Sequence, residues 1–211
     1  MDQAIPLSVL TYFPTISLLA GWAGRKVVYL EAQEHYQKGS YRNRCHLAGP
    51  NGLLRLSVPL EKGKHQQTPI REVRIAYRQD WHRPHWQSIQ TAYGNAPFWE
   101  YYAPELEAIL ADPPELLWDL NLSLLQAILR ALQWNPQLEL TETYLLPSRS
   151  SLIPLTDHRP LAQVKSDPAC DFPSYPQVFT EKHGFLPNLS ILDLLFCQGP
   201  AASIYLAQLA E

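Results

Sequence analysis

The pattern of apolar and polar positions divides the chain into a strand-rich first part and a helical second part. Residues 5–10 and Val27–Leu30 are short apolar runs, and the apolar segment Ile16–Ala20 lies between them, behind Pro14. Short runs rich in β-branched residues favour strands, whereas the intervening segment favours a short helix. A strand that returns beside the first through such a crossover lies parallel to it. The sequence therefore predicts a strand-helix-strand unit at the start.

A β-hairpin is predicted next. Segments 44–48 and 53–58 flank a four-residue turn that contains Asn51-Gly52. Asn-Gly between two strand-like segments is the strongest short-range signal for a hairpin, because both residues tolerate the positive φ that a tight turn requires. Segment 73–76 is apolar and β-branched, so it predicts one further strand.

From Asp80 onward the spacing of apolar residues becomes helical. Trp81, His85, Ile89 and Tyr93 recur at four-residue intervals, which places them on one face of a helix. The side chain of Asp80 stands where it can cap the first turn. The sequence therefore predicts a helix that starts at Asp80.

Prolines set the predicted ends of the helices that follow. Pro97 and Pro104 predict a broken segment in which a helix resumes only at residues 105–110, because proline removes a helical hydrogen bond. The longest helical pattern spans residues 115–134, and Pro136 ends it.

Two short helices are predicted at the end of the chain. They span residues 189–196 and Ala201–Leu209, and Asn188 is the predicted cap of the first. The sequence as a whole predicts an α/β fold, in which an N-terminal strand-helix-strand unit with a β-hairpin is followed by a mostly helical C-terminal half. The predicted organisation is a single domain over residues 1–211.

Proline usage adds one feature to this picture. The chain has 19 prolines against 9 glycines, with 46% hydrophobic residues, so it is too apolar for a disordered chain. Six of the prolines fall between residues 147 and 176. We interpret segment 147–176 as a proline-rich internal linker that runs extended over the surface.

Charge is unevenly distributed. Residues 25–85 hold 12 Lys and Arg against 5 Asp and Glu, together with five of the seven histidines, whereas residues 86–211 hold 5 against 14. An excess of positive charge on one stretch suits an anionic ligand of phosphate or nucleotide-sugar type. The alternative is a solvated basic face that pairs with the acidic second half. Nucleic acid is not the expected partner, because that acidic half would repel a phosphate backbone.

The most specific candidate for anion binding is the pair Arg42 and Arg44. On an extended segment, residues two apart project to one face, and two guanidinium groups there can each hold a phosphate or carboxylate. Lys38, Tyr41 and Asn43 add hydrogen-bonding groups to the predicted ligand site. The alternative is that the arginines pair with acidic residues of the second half, such as Asp193.

Histidines and aromatic residues complete the candidate site. His82 and His85 are three apart on the predicted helix, where either is a candidate general base and a core position is the alternative. Tyr12 follows the first strand, at the end where open α/β sheets bind ligands. Trp86 and Tyr93 are candidates for stacking on a ligand. No third ligand accompanies the histidines, so no metal site is predicted, and the sequence identifies no cofactor.

Several ordered segments resemble those of the WbqC-like family of bacterial proteins. These segments are Tyr12-Phe13-Pro14, Tyr36-Gln37-Lys38-Gly39-Ser40-Tyr41-Arg42-Asn43-Arg44, Asn51-Gly52, Ser57-Val58-Pro59, Trp81-His82-Arg83-Pro84-His85-Trp86, Ala92-Tyr93-Gly94-Asn95-Ala96-Pro97-Phe98 and Asn188-Leu189-Ser190-Ile191-Leu192-Asp193-Leu194-Leu195-Phe196. The resemblance implies a role in surface-polysaccharide (O-antigen or capsule) biosynthesis. After Ser150-Ser151-Leu152 this chain carries prolines where longer members continue, which resembles the short, Bacteroidetes-type form.

Two functions follow as hypotheses. The first is a transferase that handles an anionic sugar-nucleotide or a related intermediate of that pathway. The second is a non-catalytic binding or scaffold protein of the same pathway. The sequence has no signal peptide and no apolar run long enough to span a membrane, and Cys45, Cys170 and Cys197 suggest no disulfide framework. We therefore expect a cytoplasmic protein.

Overall fold

A parallel sheet, a hairpin and a set of helices make up the fold. The computed structural model describes residues 4–61, 68–78, 80–146, 154–165 and 171–210. The strands and helices of these described residues are, in chain order, β1 (Ile5–Ser8), α1 (Ile16–Ala20), β2 (Val27–Leu30), β3 (Arg44–Gly49), β4 (Gly52–Ser57), α2 (His82–Tyr93), α3 (Trp99–Ala111), α4 (Leu117–Ala131), β5 (Gln137–Leu140), β6 (Leu155–Asp157), α5 (Thr180–His183), α6 (Ile191–Gln198) and α7 (Ala201–Leu209). The predicted α/β class is confirmed.

The sheet has the strand order β5-β2-β1-β6, and every neighbouring pair is parallel. The strand-helix-strand unit is confirmed, with Leu7 of β1 opposite Tyr29 of β2. Helix α1 begins where the Thr15 side chain accepts a hydrogen bond from the backbone N–H of Leu18. Because all four strands run the same way, their carboxyl ends meet at one edge of the sheet.

Strands β5 and β6 were not predicted. β5 directly follows Pro136, and β6 lies inside the segment interpreted as a linker. With four and three residues, these strands are too short for an alternating pattern to identify them; pairing with β2 and β1 creates them. The linker interpretation is therefore corrected for residues 155–162, where a 3-10 turn at Arg159–Ala162 follows β6. Residues 147–153 and 166–170 lie outside the described residues.

The hairpin is confirmed around the predicted turn, and of Asn51 and Gly52 only Gly52 takes a positive φ. Gly49 pairs with Gly52 and Leu47 with Leu54 in an antiparallel register. Gly52 has a φ of 100°, a value that favours glycine. The strand predicted at 73–76 is wrong, because those residues make only single bridges, and a 3-10 turn at Ile70–Glu72 precedes them.

Three details of the predicted helices are corrected. α3 is continuous through Pro104, because the packing of its apolar face outweighs the missing hydrogen bond. Asp80 does not cap α2; its carboxylate pairs with His82 and Arg83. Ser190, rather than Asn188, caps α6, and the Asn188 side chain accepts a hydrogen bond from the backbone of Ser17 in α1.

One continuous core joins the sheet, the hairpin and the helices. Four of its large side chains are fully buried, namely those of Tyr12, Phe13, Leu124 and Phe196. Full burial of a large apolar side chain stabilises the fold by about 1.5–3 kcal/mol. α2 packs on β3 and α3, while α6 packs on α1, α3 and β3. This packing holds the hairpin beside the carboxyl edge of the sheet.

Candidate functional site

A cleft opens at the carboxyl edge of the parallel sheet. Its walls come from the loops after three strands: Gln33 and Lys38 follow β2, Tyr144 follows β5, and Gln163 follows β6. The cleft has a volume of about 590 Å³, which is within the range of small-molecule sites. We call it the sheet-edge cleft. It is the position at which open parallel sheets bind ligands.

The inner wall of the cleft carries a buried ion pair. Glu34 lines the cleft, and the Nε and Nη2 atoms of Arg42 each donate a hydrogen bond of 2.6 Å to its carboxylate. Arg42 is 0% exposed and Glu34 is 2% exposed. Burial raises the pKa of Glu34, and the guanidinium of Arg42 opposes that shift. Arg42 thus neutralises the charge of the buried Glu34 carboxylate.

The expected geometry of Arg42 and Arg44 is therefore corrected. Residues Tyr41–Asn43 form a 3-10 turn rather than an extended segment, so the two guanidinium groups do not project side by side. Arg42 points into the protein, and its partner is Glu34 rather than Asp193. Asn43 is also buried, and its side-chain amide donates to the backbone carbonyl of Val58.

A second buried ionic group, centred on Arg159, connects the loops that form the cleft. Arg159 donates two hydrogen bonds of 2.8 Å to Asp157 and one of 3.2 Å to Glu31. Its guanidinium carbon also lies 5.1 Å from the centre of the Tyr144 ring. Since Glu31 is 0% exposed and also accepts from Thr141, the loops after β2, β5 and β6 are tied together.

The hairpin presents a second cluster of charge. His46 of β3 lies directly opposite Arg55 of β4, and Arg44 is two residues before His46, so the three side chains share one face. Tyr41 joins them through a contact of 3.2 Å between its hydroxyl and Nδ1 of His46. Among the described residues, no acidic side chain pairs with Arg44 or Arg55. We call Tyr41, Arg44, His46 and Arg55 the hairpin cationic face.

Two buried nitrogen atoms of this face lack a hydrogen-bond partner within the described part of the chain. They are Nε of Arg44 and Nε2 of His46, and His46 as a whole is 8% exposed. Burial, and then the charges of Arg55 and Arg44, lower the pKa of His46. When the Tyr41 hydroxyl donates to Nδ1, Nε2 carries the hydrogen and is a donor. The face therefore holds two buried donors without acceptors.

The two predicted histidines lie in different surroundings. His85 is 8% exposed, and its Nδ1 is 2.9 Å from the Tyr12 hydroxyl inside the core. Burial lowers the pKa of His85 to about 4. His82 is half-buried, and its Nε2 lies 2.9 Å from the carboxylate of Asp80. His85 also forms a hydrogen bond with the backbone of Ser57, which is opposite Arg44 in the hairpin, whereas His82 pairs with Asp80.

The two predicted stacking residues, Trp86 and Tyr93, also lie in different surroundings. Tyr93 is 0% exposed; its hydroxyl donates to Asp193 and accepts from the backbone N–H of Ala48. Trp86 stacks on Trp99, with ring centres 5.3 Å apart, and lines a groove of about 380 Å³ with His82. Of the predicted ligand-binding residues, Lys38 lines the sheet-edge cleft, and Tyr41 and Arg44 belong to the hairpin cationic face.

Comparison with known proteins assigns the chain to a family. The model of the WbqC-like protein family matches residues 11–164. The chain belongs to that family. The resemblance found in the sequence is confirmed, and the matched residues contain both the sheet-edge cleft and the hairpin cationic face. The uncharacterized protein Rv1507c of Mycobacterium tuberculosis (strain ATCC 25618 / H37Rv) is 29% identical over an alignment of 203 residues, and the alignment covers 85% of this chain and 86% of that protein. No solved structure gives a significant match.

Two further findings describe this member of the family. Within the described residues, none of the helices has both the length and the apolar character needed to cross a membrane. In the same residues, no three His, Cys, Asp or Glu side chains come together as metal ligands would.

Sequence reasoning missed His46, Arg55 and the glutamines of the cleft. The hairpin register was the available signal for the first two, because pairing around the Asn51-Gly52 turn places His46 opposite Arg55. The glutamines Gln33 and Gln163 come together only through β6, and no pattern in the sequence signals that strand.

Proposed function

We propose that this protein binds a phosphate-bearing ligand on the hairpin cationic face, as a binding or scaffold protein for an anionic sugar-nucleotide or related intermediate of surface-polysaccharide biosynthesis. The observation that carries the proposal is the pair of buried, unpartnered nitrogens, Nε of Arg44 and Nε2 of His46, beside the unpaired charge of Arg55. The pathway itself rests on the family resemblance.

Energetics support an anion at this position. A buried donor that lacks an acceptor costs about 1–3 kcal/mol, so a ligand that accepts from both nitrogens removes a penalty carried by the free protein. Guanidinium groups match the geometry of phosphate oxygens. The Tyr41 hydroxyl, which contacts His46, orients the imidazole towards the ligand.

Binding fits the described geometry better than transfer. A general base must reach the proton that it removes, whereas His85 is enclosed in the core with Tyr12. His82 keeps the transferase alternative open, because it pairs with Asp80 beside a groove. The proposed compartment is the cytoplasm, where buried free thiols such as Cys45 and Cys197 persist in reduced form.

The test is a titration with inorganic pyrophosphate and with a nucleoside diphosphate, followed by thermal denaturation and calorimetry. Ligand at 100 times its dissociation constant should stabilise the wild type by about 2.7 kcal/mol. Arg55→Ala should weaken binding about tenfold or more, since a charge-assisted hydrogen bond contributes about 1.5–3 kcal/mol.

The matched control is Arg83→Ala, which removes the same charge from an arginine on α2 that is 77% exposed. It should leave affinity unchanged. Equal losses in the two variants would mean that net charge alone attracts the ligand. Either that result, or no binding by the wild type, would overturn the proposal.

A further inference from the structure

We propose that the sheet-edge cleft is a separate ligand site, which binds a neutral, polyhydroxylated ring such as a pyranoside. This inference goes beyond the proposed function and rests on the cleft alone. A neutral ring requires none of the charges of the hairpin cationic face.

The cleft receives residues from the loops after β2, β5 and β6, three of the four parallel strands. These loops are joined to one another: the backbones of Ser40 and Gln163 form a bridge, and the N–H of Val164 donates to the carbonyl of Gly39. A site built from tied loops is formed before the ligand arrives, which reduces the entropy lost on binding.

Three of the eight lining residues described carry side-chain amides. Gln33, Gln37 and Gln163 all line the cleft. An amide offers a donor and an acceptor from neighbouring atoms, and adjacent hydroxyls of a sugar ring offer the same pair in return. The amides are also held in place, since Gln33 donates to the backbone carbonyl of Thr141 and Gln163 donates to Gln37.

Tyr144 supplies an apolar surface beside these amides. Its side chain lines the cleft and is 47% exposed. The guanidinium of Arg159 lies over the ring, and Asp157 and Glu31 fix that guanidinium in turn. An aromatic ring held this way offers its remaining surface to the C–H groups of a sugar ring.

The charge of the cleft favours a neutral ligand. The acidic group of the lining, Glu34, is neutralised by Arg42 through two hydrogen bonds. His35 and Lys38 also line the cleft, and both are exposed to solvent. Among the described lining residues there is no buried, unpaired cation, and Arg42, whose Nη1 atom is buried without a partner, does not line the cleft. The lining therefore lacks the feature that would select a phosphate.

The test uses saturation-transfer NMR with four neutral probes: methyl glucopyranoside, methyl mannopyranoside, methyl N-acetylglucosaminide and inositol. At least one should receive saturation from the wild-type protein. Tyr144→Ala should weaken that binding about tenfold, the loss expected for an aromatic contact of about 1.4 kcal/mol. Gln33→Ala should weaken it as well.

Tyr101→Ala is the matched control, because Tyr101 of α3 is 78% exposed and does not line the cleft. It should bind like the wild type, and so should Arg55→Ala. The proposal is overturned if no probe binds the wild type, or if Tyr101→Ala loses as much as Tyr144→Ala. Loss in Arg55→Ala would place the ring on the hairpin instead and overturn it too. Pyrophosphate binding reports separately on the proposed function.

Discussion

Arg42 and Glu34 hold each other in the interior through two hydrogen bonds of 2.6 Å, one from Nε and one from Nη2. The pair joins the loop after β2 to the 3-10 turn that precedes β3. Neither side chain is more than 2% exposed, so each charge depends on the other. The cleft wall and the start of the hairpin are thereby fixed to one another.

Arg42→Ala should destabilise the protein by about 3–5 kcal/mol, because it leaves the Glu34 carboxylate buried without its counter-charge. Urea denaturation followed by fluorescence measures the effect. The control is Arg74→Ala, which breaks an exposed pair with Glu115 and should change stability by about 0–1 kcal/mol. Similar effects in the two variants would show that the internal pair contributes no more than a surface pair.

Stability should fall as the pH drops from about 6.5 towards 4, and His85 should account for part of the fall. Burial lowers the pKa of His85 to about 4 in the folded state, whereas an exposed histidine has a pKa of about 6.5. The unfolded chain therefore binds more protons in this range, and acid favours unfolding. Two and a half pKa units correspond to about 3 kcal/mol.

His85→Gln should flatten this pH dependence when urea midpoints are measured between pH 4 and 7.5. Tyr12→Phe removes the hydrogen bond to Nδ1 but keeps the imidazole, so it should retain most of the slope. Parallel curves for the wild type and His85→Gln would contradict the assignment of this titration to His85.

Asp193 depends on hydroxyl and amide donors rather than on a cation. Its carboxylate accepts from Tyr93 at 2.9 Å, from Tyr175 at 2.6 Å and from Gln177 at 2.8 Å. Tyr93→Phe and Tyr175→Phe should each lower stability by about 1–3 kcal/mol, since a buried carboxylate loses a donor. Thermal and urea denaturation measure this loss.

Tyr101→Phe is the reference for these two variants, because it removes a hydroxyl from a side chain that is 78% exposed. Its stability should match that of the wild type. If all three variants keep wild-type stability, the hydroxyls contribute nothing to holding Asp193.

The sequence predicted those elements whose signals are local. The Asn51-Gly52 turn alone identifies the hairpin, and the spacing of Ile89 and Tyr93 identifies α2. Strands β5 and β6 were missed because each forms only by pairing with a strand that is distant in the sequence. Leu138 of β5, for example, pairs with Val28 of β2, more than 100 residues before it. Short strands in a parallel sheet carry little signal of their own.

For the same reason, the sequence could not predict which buried side chains pair with one another. Asp193 is far from Tyr93 and close to Tyr175 in the sequence, yet it binds both. Arg42 was expected to face a ligand or Asp193, and its partner is Glu34, only eight residues before it. Local turns decide such pairings, and the 3-10 turn at Tyr41–Asn43 leaves no pattern of apolar residues.

Pro104→Ala should stabilise the protein. Pro104 is exposed inside α3, five residues after Trp99, where that helix begins, so an amide there can donate to the carbonyl of Glu100. Restoring this bond and removing the steric clash of the ring recovers part of the roughly 3 kcal/mol that an interior proline costs. The greater freedom of the unfolded chain subtracts about 0.4–1 kcal/mol. We expect the free energy of unfolding to rise by about 1–2 kcal/mol in urea denaturation.

Pro97→Ala, which changes an exposed proline in the turn before α3, restores no helical bond and should lower stability slightly. A loss of the same size in both variants would show that α3 has already adjusted to its proline.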